Sequence, residues 1–491
     1  MRDSSSNLSN VNAAHVVPAY QAFHLVGVGG AGMSVLAHLL HDLGYTVSGS
    51  DRTEADTLPE LRELGVKVFV GHRAAQVTPG MIVVASSAIR EDNPEIQRAH
   101  QLGLEIWHRS QALDFCTRSK DLLAVAGAHG KTTTSAMLSK ALWDVGADPS
   151  FAIGGVILEY GTGARLGRGR AFVIEADESD GSFLNYAPLV EVLTNIEPDH
   201  LDHWGSREAF DQAFVDFTAR IRPGGAIVAC GDDAGIRRLA PRFHSGAALV
   251  SYGFGAPLPG AALVVALGEP RLGAGHAEVD LRVMRCHPEQ QLLFHDVLRL
   301  SQGGKHYLLD AAAALGAAAA LNECVGGIDF GAFCQSLSSF TGTGRRMQFL
   351  GEIGGVRIYD DYGHHPTEVA ATLGAARDLA GNGRLLVCFQ PHLYSRTKTF
   401  ASEFATVLSA ADEVVVCGVY AARENPTDGA DGDAIADLMG EKGQFISDMY
   451  AAGDAVYNLA KPGDLLLFLG AGSITHVAHD LVKAHLGAGT S

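Results

Sequence analysis

Short apolar runs alternate along the chain with stretches whose apolar positions recur every three or four residues, the pattern of repeated strand-helix units. Residues 23–26, 45–48, 67–70, 81–85 and 105–107 read as strands, with a helix running from a glycine loop at 27–32 to about Leu43. A second group of apolar runs occupies residues 122–126, 171–176 and 190–196. After the first of these, Met137, Leu138, Ala141, Leu142 and Val145 recur at helical spacing and Gly146 marks the stop. Residues 206–221 predict a helix with Phe210, Phe214 and Phe217 on one core-facing stripe. Residues 253–285 alternate, as in Glu278 to Val283, and predict antiparallel strands flanking a mainly parallel sheet. Residues 308–321 are mostly alanine and predict a closely packed core helix. Beyond Phe340, runs at 357–359, 385–389, 414–417 and 464–469 are separated by helical stretches, one opening at Pro366 and reaching about Leu379. That is the pattern of a doubly wound parallel sheet, whose ligands bind outside the carboxyl ends of the strands.

At 491 residues the chain exceeds one ordinary core, so two or three domains are expected. No uninterrupted apolar run of about 18 residues suggests a membrane span. The formal charge of −18 argues against a nucleic-acid surface, while local lysines and arginines leave anionic small substrates open. Seven cysteines, Cys116, Cys230, Cys286, Cys324, Cys334, Cys388 and Cys417, lack C-x-x-C spacing, which points to a reducing, cytoplasmic setting. Residues 1–21 are Ser- and Asn-rich without a charged start and apolar core, and read as a disordered tail.

Candidate chemistry centres on Gly127, Ala128, His129, Gly130, Lys131, Thr132, Thr133 and Thr134, between an apolar strand and a helix. Backbone amides at a helix N-terminus face an anion and the helix dipole favours it, so this arrangement suits a polyphosphate. The lysine can reach the β and γ phosphates and Thr132 can ligate Mg²⁺. Glu175, Asp177, Glu178 and Asp180 follow the next strand and are placed for Mg²⁺. His200 and His203 lack a third zinc ligand, and His200 reads as a ligand or orienter at the Mg²⁺-nucleotide site. A second glycine loop, G-x-G-x-x-G at Gly27, Gly29 and Gly32, precedes an acidic residue, Asp51. Taken alone it admits a dinucleotide such as NAD or another nucleotide diphosphate. At the strand ends of the last unit stand Asp360, Asp361, Gln390, His392, Tyr420 and residues 470–473.

Seven ordered segments together resemble the Mur ligases of bacterial cell-wall synthesis, over about residues 22–475. They are residues 27–32, 127–134, 175–183 (EADESDGSF), 194–203 (TNIEPDHLDH), 360–368 (DDYGHHPTE), 389–397 (FQPHLYSRT) and 470–475 (GAGSIT). The resemblance implies an α/β chain of three domains: a Rossmann-like UDP-substrate domain at 22–117, a central P-loop ATPase domain with a mainly parallel sheet at 118–339, and a C-terminal doubly wound, Rossmann-like amino-acid domain at 340–491. The last three segments are similar to those of the family member that joins L-alanine to UDP-N-acetylmuramate at the expense of ATP.

On that resemblance the first loop holds a UDP diphosphate rather than NAD, with Gly29, Gly30, Ala31, Gly32, Asp51, Ser86, His129 and Arg396 at the UDP substrate. Residues 127–133, Arg346 and Asp361 hold ATP; Thr132, Glu175 and His200 hold Mg²⁺; Tyr362, His392 and Arg396 receive the amino acid. Lys131, Glu175, His200 and His364 carry catalysis, with His364 or His203 as the base. A monomer or weak homodimer is implied. Three positions depart from the family pattern: Tyr307 and Asp310, where relatives usually carry asparagines that contact adenine, and Leu393, where many carry arginine. Other readings are a ligase that recycles a preformed tripeptide, an NAD-dependent dehydrogenase built on the first loop, and a nucleotide-binding protein without catalysis.

Overall fold

The computed structural model describes residues 22–55, 57–198, 201–273, 275–287, 289–422, 424–425 and 429–486. The expected tail at 1–21 and the candidate ligand His200 lie outside the described residues. The rest divides into two compact units, residues 22–109 and residues 110 onward.

The first unit is a five-stranded parallel sheet in the order Lys67–Val70, Thr46–Asp51, Ala22–Val26, Met81–Ala85, Ile106–His108. Strand order reverses at Ala22–Val26, which opens a crevice at its carboxyl end, where the glycine loop leads into the helix Ala31–Asp42. The second strand outruns its expected end at Ser48 because its serines are buried partners rather than surface residues. His24 Nδ1 lies 2.9 Å from Ser48 Oγ, and the Ser50 hydroxyl donates to Glu95 at 2.6 Å.

The second unit contains two sheets. In the larger, seven parallel strands run Leu263–Leu267, Ala248–Gly253, Ala226–Cys230, Val190–Leu193, Asp121–Ala126, Ala171–Glu175, Ser150–Ile157. Thr162–Arg165 closes one edge antiparallel, and His276–Arg285, Arg271–Gly273 and Gln291–Leu300 form the antiparallel flank at the other. The antiparallel expectation for 253–285 therefore holds only from 271 onward, since Leu263–Leu267 joins the parallel run. The alanine-rich helix Lys305–Val325 lies so close to this sheet that a Cβ on Gly316 would stand 2.8 Å from Val228. Among the described residues it alone is long and apolar enough to cross a membrane, and it is mostly buried within the unit. Ser206 caps the helix Arg207–Thr218, its hydroxyl accepting from Ala209 N at 3.2 Å. Phe210, Phe214 and Phe217 are fully buried, with Phe183 packed against Phe214 and Phe217 at ring distances of 5.3 and 4.8 Å.

The last sheet runs Gln348–Ile353, Val356–Asp361, Leu465–Leu469, Leu385–Phe389, Glu413–Val416, Gly443–Phe445, parallel except for its first strand. Period-two alternation divides Leu385–Phe389 between two cores: Leu385, Val387 and Phe389 pack on one face, Leu386 and Cys388 on the other. Helices cover both faces, as the doubly wound pattern requires. The expected α/β fold, with one sheet for each of the three domains, is borne out.

The Phe183 cluster sits under the segment that follows Glu175, so its packing supports the site above it. Phe214→Ala is expected to cost roughly 3–5 kcal/mol of stability, read as a lowered urea midpoint.

Candidate active site at the phosphate loop

The strand Asp121–Ala126 lies at mid-sheet between Val190–Leu193 and Ala171–Glu175, so all three carboxyl ends meet around residues 127–130. Gly127 and Gly130 turn the chain with φ of 139° and 82°, conformations that disfavour other residues. Side chains are also sterically barred: a Cβ on Gly127 would overlap Thr194 Oγ1, and one on Gly130 would stand 2.6 Å from Asp310 Oδ1. The loop is then clamped at His129. Its N–H donates to Asn195 Oδ1 at 3.0 Å, and its carbonyl accepts from Asn195 Nδ2 at 2.9 Å and from the Thr194 hydroxyl at 2.5 Å. This clamp explains why the strand expected over 190–196 stops at Leu193: Thr194 and Asn195 turn toward the loop. The helix Lys131–Asp144 begins there with no side-chain cap among the described residues, leaving its first turn to face an anion.

Lys131 Nζ donates to Gly127 O at 2.6 Å and to both oxygens of Glu178 at 2.9 and 3.1 Å. Burial disfavours the ammonium, but Glu178, Asp177 and Glu175 outweigh it and hold the lysine protonated above its ordinary range. The four acids after the strand Ala171–Glu175 thus separate by role. Glu178 pairs with Lys131, while Asp177 and Asp180 accept backbone N–H groups of Ser179 and Ser182, each at 3.0 Å. Glu175 sits beside the Thr132 hydroxyl and Gly154 N–H, and burial pushes its carboxyl above the usual range. Its Oε1 is buried without a hydrogen-bond partner. A hydroxyl and an orphaned carboxylate oxygen beside an anion loop form an oxygen donor set that fits Mg²⁺.

Across from the loop stands the segment after Val356–Asp361. Glu368, in the first turn of the helix Pro366–Ala380, lies 3.4 Å from His129 Nδ1 and 3.8 Å from Arg346 Nη1. Its other oxygen accepts from His364 N at 3.1 Å and lies 3.3 Å from His364 Nδ1. His129 Nε2 meets Glu197 at 3.1 Å, and Thr367 donates to the second oxygen of Glu197 at 3.1 Å. Burial opposes the charge on His129, yet the two carboxylates push its pKa up to about 9. His364 goes the other way: burial brings it down to about 4, so its imidazole is neutral. Burial likewise disfavours the Arg346 charge, which Glu368, Asp361 and Glu175 then hold in place. Asp361 accepts from Met347 N and Gly363 N, both at 2.8 Å. Tyr362 lies under Arg346, 5.4 Å from guanidinium carbon to ring centroid. The His364 ring meets His392 at 5.6 Å, and His392 stacks on Tyr420 at 5.8 Å. The charge of Arg396, buried in the helix Tyr394–Leu408, also bears on His364.

Lys131, Thr132, Glu175, His129, Arg346, Asp361, Tyr362, His364 and His392 are thus brought together within one unit. His203 is exposed, its ring packing on Trp204 at 4.9 Å, and the Trp204 indole donates to Glu178 O at 3.1 Å. Of the departures, Asp310 accepts from Thr134 at 3.0 Å, and burial pushes its pKa up to about 7. The Tyr307 ring lies 4.3 Å from that of His306, and Leu393 holds φ of 68° at the entry of the Arg396 helix. Glu178, expected among the acids placed for Mg²⁺, is instead the partner of Lys131; the roles of Asn195, Glu197 and Glu368 were not expected, although all three lie in the segments quoted for the resemblance.

In the first unit, Gly29 N donates to Asp51 Oδ2 at 2.9 Å, and the Thr57 hydroxyl donates to Gly29 O at 2.9 Å. Asp51 therefore braces the glycine loop itself. Gly30 precedes the helix opened by Ala31 and Gly32, with no side-chain cap among the described residues. Ser86 opens the turn at the end of Met81–Ala85, its carbonyl accepting from Ile89 N at 3.0 Å. His129 and Arg396, expected at the same substrate, belong to the second unit.

Comparison with known proteins agrees with this geometry. Residues 22–120 match the Mur ligase family catalytic domain, residues 125–318 the Mur ligase middle domain, and residues 345–472 the Mur ligase glutamate ligase domain. The chain belongs to the Mur ligase family, a family of ligases. It is 46% identical to the UDP-N-acetylmuramate–L-alanine ligase of Kineococcus radiotolerans over 94% of this chain and 95% of that one. It is 43% identical to the enzyme of the same name from Saccharopolyspora erythraea, over 96% and 94%. The crystal structure of UDP-N-acetylmuramate-alanine ligase from Thermotoga maritima superposes with a TM-score of 0.77 at 27% identity, covering 95% of this chain and 99% of that one. The dehydrogenase reading of the first loop falls with this membership.

The His129 pair has a definite pH signature. Its folded pKa, about 9, exceeds the ordinary imidazole value of 6.5, so the stabilisation it gives is complete below pH 6.5 and disappears as pH rises through 9. The stability difference between wild type and His129→Gln, followed by urea unfolding, should narrow by up to on the order of 3 kcal/mol between pH 6 and pH 10.

Proposed function

We propose that this chain joins L-alanine to the lactyl carboxylate of UDP-N-acetylmuramate, with cleavage of ATP to ADP and phosphate, in the synthesis of peptidoglycan precursors. The observation that carries this reading is the meeting of Lys131, Thr132 and the orphaned Glu175 oxygen with Arg346 at one phosphate loop. Near-full-length identity to relatives that bear this activity in their names supports the choice of substrates.

Carboxylate and γ-phosphate are both anions, and their approach needs positive charge between them. A lactyl carboxylate oxygen attacks the γ phosphorus, the bond to the β,γ-bridging oxygen breaks, and ADP leaves with that electron pair. Lys131 and Arg346 neutralise the phosphoryl oxygens, and the amides at the start of Lys131–Asp144 orient them. Thr132 and Glu175 would hold one Mg²⁺ and His200 a second, and these ions would supply further charge neutralisation. The alanine nitrogen then attacks the acyl carbon of the mixed anhydride and phosphate departs. His364 is our choice of base over His203. Its neutral imidazole accepts the amine proton, and the adjacent Glu368 carboxylate favours the resulting imidazolium.

The same reading assigns the UDP diphosphate to Gly29, Gly30, Ala31 and Gly32 with Ser86, and the alanine to the region of Tyr362, His392 and Arg396. It keeps the domain divisions at 117/118 and 339/340. Seven free thiols support a reducing, cytoplasmic setting, and a monomer or weak homodimer is retained.

Lys131→Ala is expected to lower turnover on the order of a hundredfold or more, measured as phosphate release. Glu175→Gln should lose activity that added Mg²⁺ partly restores; wild-type kinetics in this variant would remove its metal role. Given UDP-N-acetylmuramate and ATP, the enzyme should release phosphate with L-alanine and not with a preformed tripeptide. The opposite preference would favour the recycling ligase.

A further inference from the structure

Glu368 is a carboxylate that joins the two sides of the site through three groups. Through Oε1 it faces the phosphate-loop histidine His129 at 3.4 Å and the Arg346 guanidinium at 3.8 Å; through Oε2 it accepts from His364 N at 3.1 Å. It is also nearly buried, its side chain 10% exposed, so these contacts are weakly screened by solvent. On the far side of His129, Glu197 completes the row, and Thr367, adjacent to Glu368, donates to Glu197 at 3.1 Å. A continuous series of contacts therefore runs from the helix Pro366–Ala380 to the loop that faces the phosphates. Glu197 and Glu368 differ in reach: Glu197 touches His129 and the Thr367 hydroxyl, whereas Glu368 touches His129, the Arg346 guanidinium and the candidate base together.

We propose that Glu368 is a positioning residue that fixes Arg346 and His364 relative to the phosphate loop through its contact with His129, so that nucleotide placement and amino-acid attack share one spatial reference. Glu197 is its counterpart on the far side of His129. The carboxylate itself forms and breaks no bond in the reaction. Replacing it with an amide of the same shape keeps the volume but leaves the Arg346 and His129 cations without their shared counter-charge, and the two groups drift from their common register. The proposal rests on the ligase reading for its kinetic arm and stands apart from it in its binding arm.

The test compares full-length wild type, Glu368→Gln, Glu368→Asp, Glu197→Gln, His129→Gln and the double variant His129→Gln/Glu368→Gln. Steady-state phosphate release with ATP, UDP-N-acetylmuramate and L-alanine is measured beside the affinity for ATP by calorimetry. Glu368→Gln should lower kcat tenfold or more and raise KM for both ATP and L-alanine several-fold, while Glu368→Asp, which keeps the charge, recovers part of each loss. Glu197→Gln should raise KM for ATP without moving KM for L-alanine. In the double variant, the loss of ATP affinity should be smaller than the sum of the losses in His129→Gln and Glu368→Gln, because the two residues share one contact. Kinetics within twofold of wild type in Glu368→Gln, or additive losses in the double variant, would overturn the proposal. So would a fall in melting temperature and active fraction with both KM values unchanged, the mark of a residue that only supports the fold. If wild type releases no phosphate, the ligase reading fails, and the ATP affinities of Glu368→Gln and the double variant still decide for or against the shared contact.

Discussion

The backbone path of residues 127–130 must stay open toward an anion while three strand ends crowd around it, and most of the site follows from how that is achieved. Gly127 and Gly130 take conformations and clearances that no side chain tolerates, and Thr194 and Asn195 hold the loop from the neighbouring strand end. Asp310, through Thr134 and its approach to Gly130, braces the loop from the core helix. A loop held at three points presents its amides in fixed directions before any phosphate arrives, and such preorganised dipoles spare the reorganisation cost at the moment of reaction. Asp310 thus braces the loop at a position where the resemblance implied an asparagine that contacts adenine.

Around this loop the buried cations are interleaved with carboxylates. Lys131 meets Glu178, His129 meets Glu197 and Glu368, and Arg346 meets Glu368. An isolated buried charge is costly, and each of these pairings offsets part of that cost. Polyphosphate arriving at the loop competes with the carboxylates for the same cations, so Lys131 and Arg346 are held charged and close to their targets. The exceptions mark the chemistry: Glu175 keeps an oxygen without a partner, and His364 stays neutral beside a carboxylate. Those two are the groups for which a metal ion and a proton are assigned.

Much of this architecture is legible in the chain. Apolar periodicity located the first sheet, the three strands around the phosphate loop and the middle of the last sheet, because strands buried on both faces read as continuous apolar runs, but it passed over Ser150–Ile157, Ala226–Cys230, Ala248–Gly253, Gln291–Leu300 and Gln348–Ile353. It erred where polar residues are buried or strand ends are recruited. Ser48 and Ser50 concealed the length of Thr46–Asp51 by bonding inside the unit, and Thr194 and Asn195 left the strand to clamp the loop. The phosphate loop was legible because strand, glycines, lysine and helix are contiguous. The carboxylate pairings were not. Glu178, Asp177 and Asp180 are equivalent as letters, and only the turn that follows Glu175 decides which one reaches Lys131. Glu197 and Glu368 meet His129 from segments far apart in sequence, a relation no local spacing encodes.

In the proposed reaction this loop delivers a phosphoryl group to a carboxylate before the amine attacks. The most direct measurement uses UDP-N-acetylmuramate carrying ¹⁸O in its lactyl carboxylate, with ATP and L-alanine, and mass analysis of the released phosphate. Transfer of one labelled oxygen to phosphate for each amide formed is the expected result. Amide formation with unlabelled phosphate would contradict it.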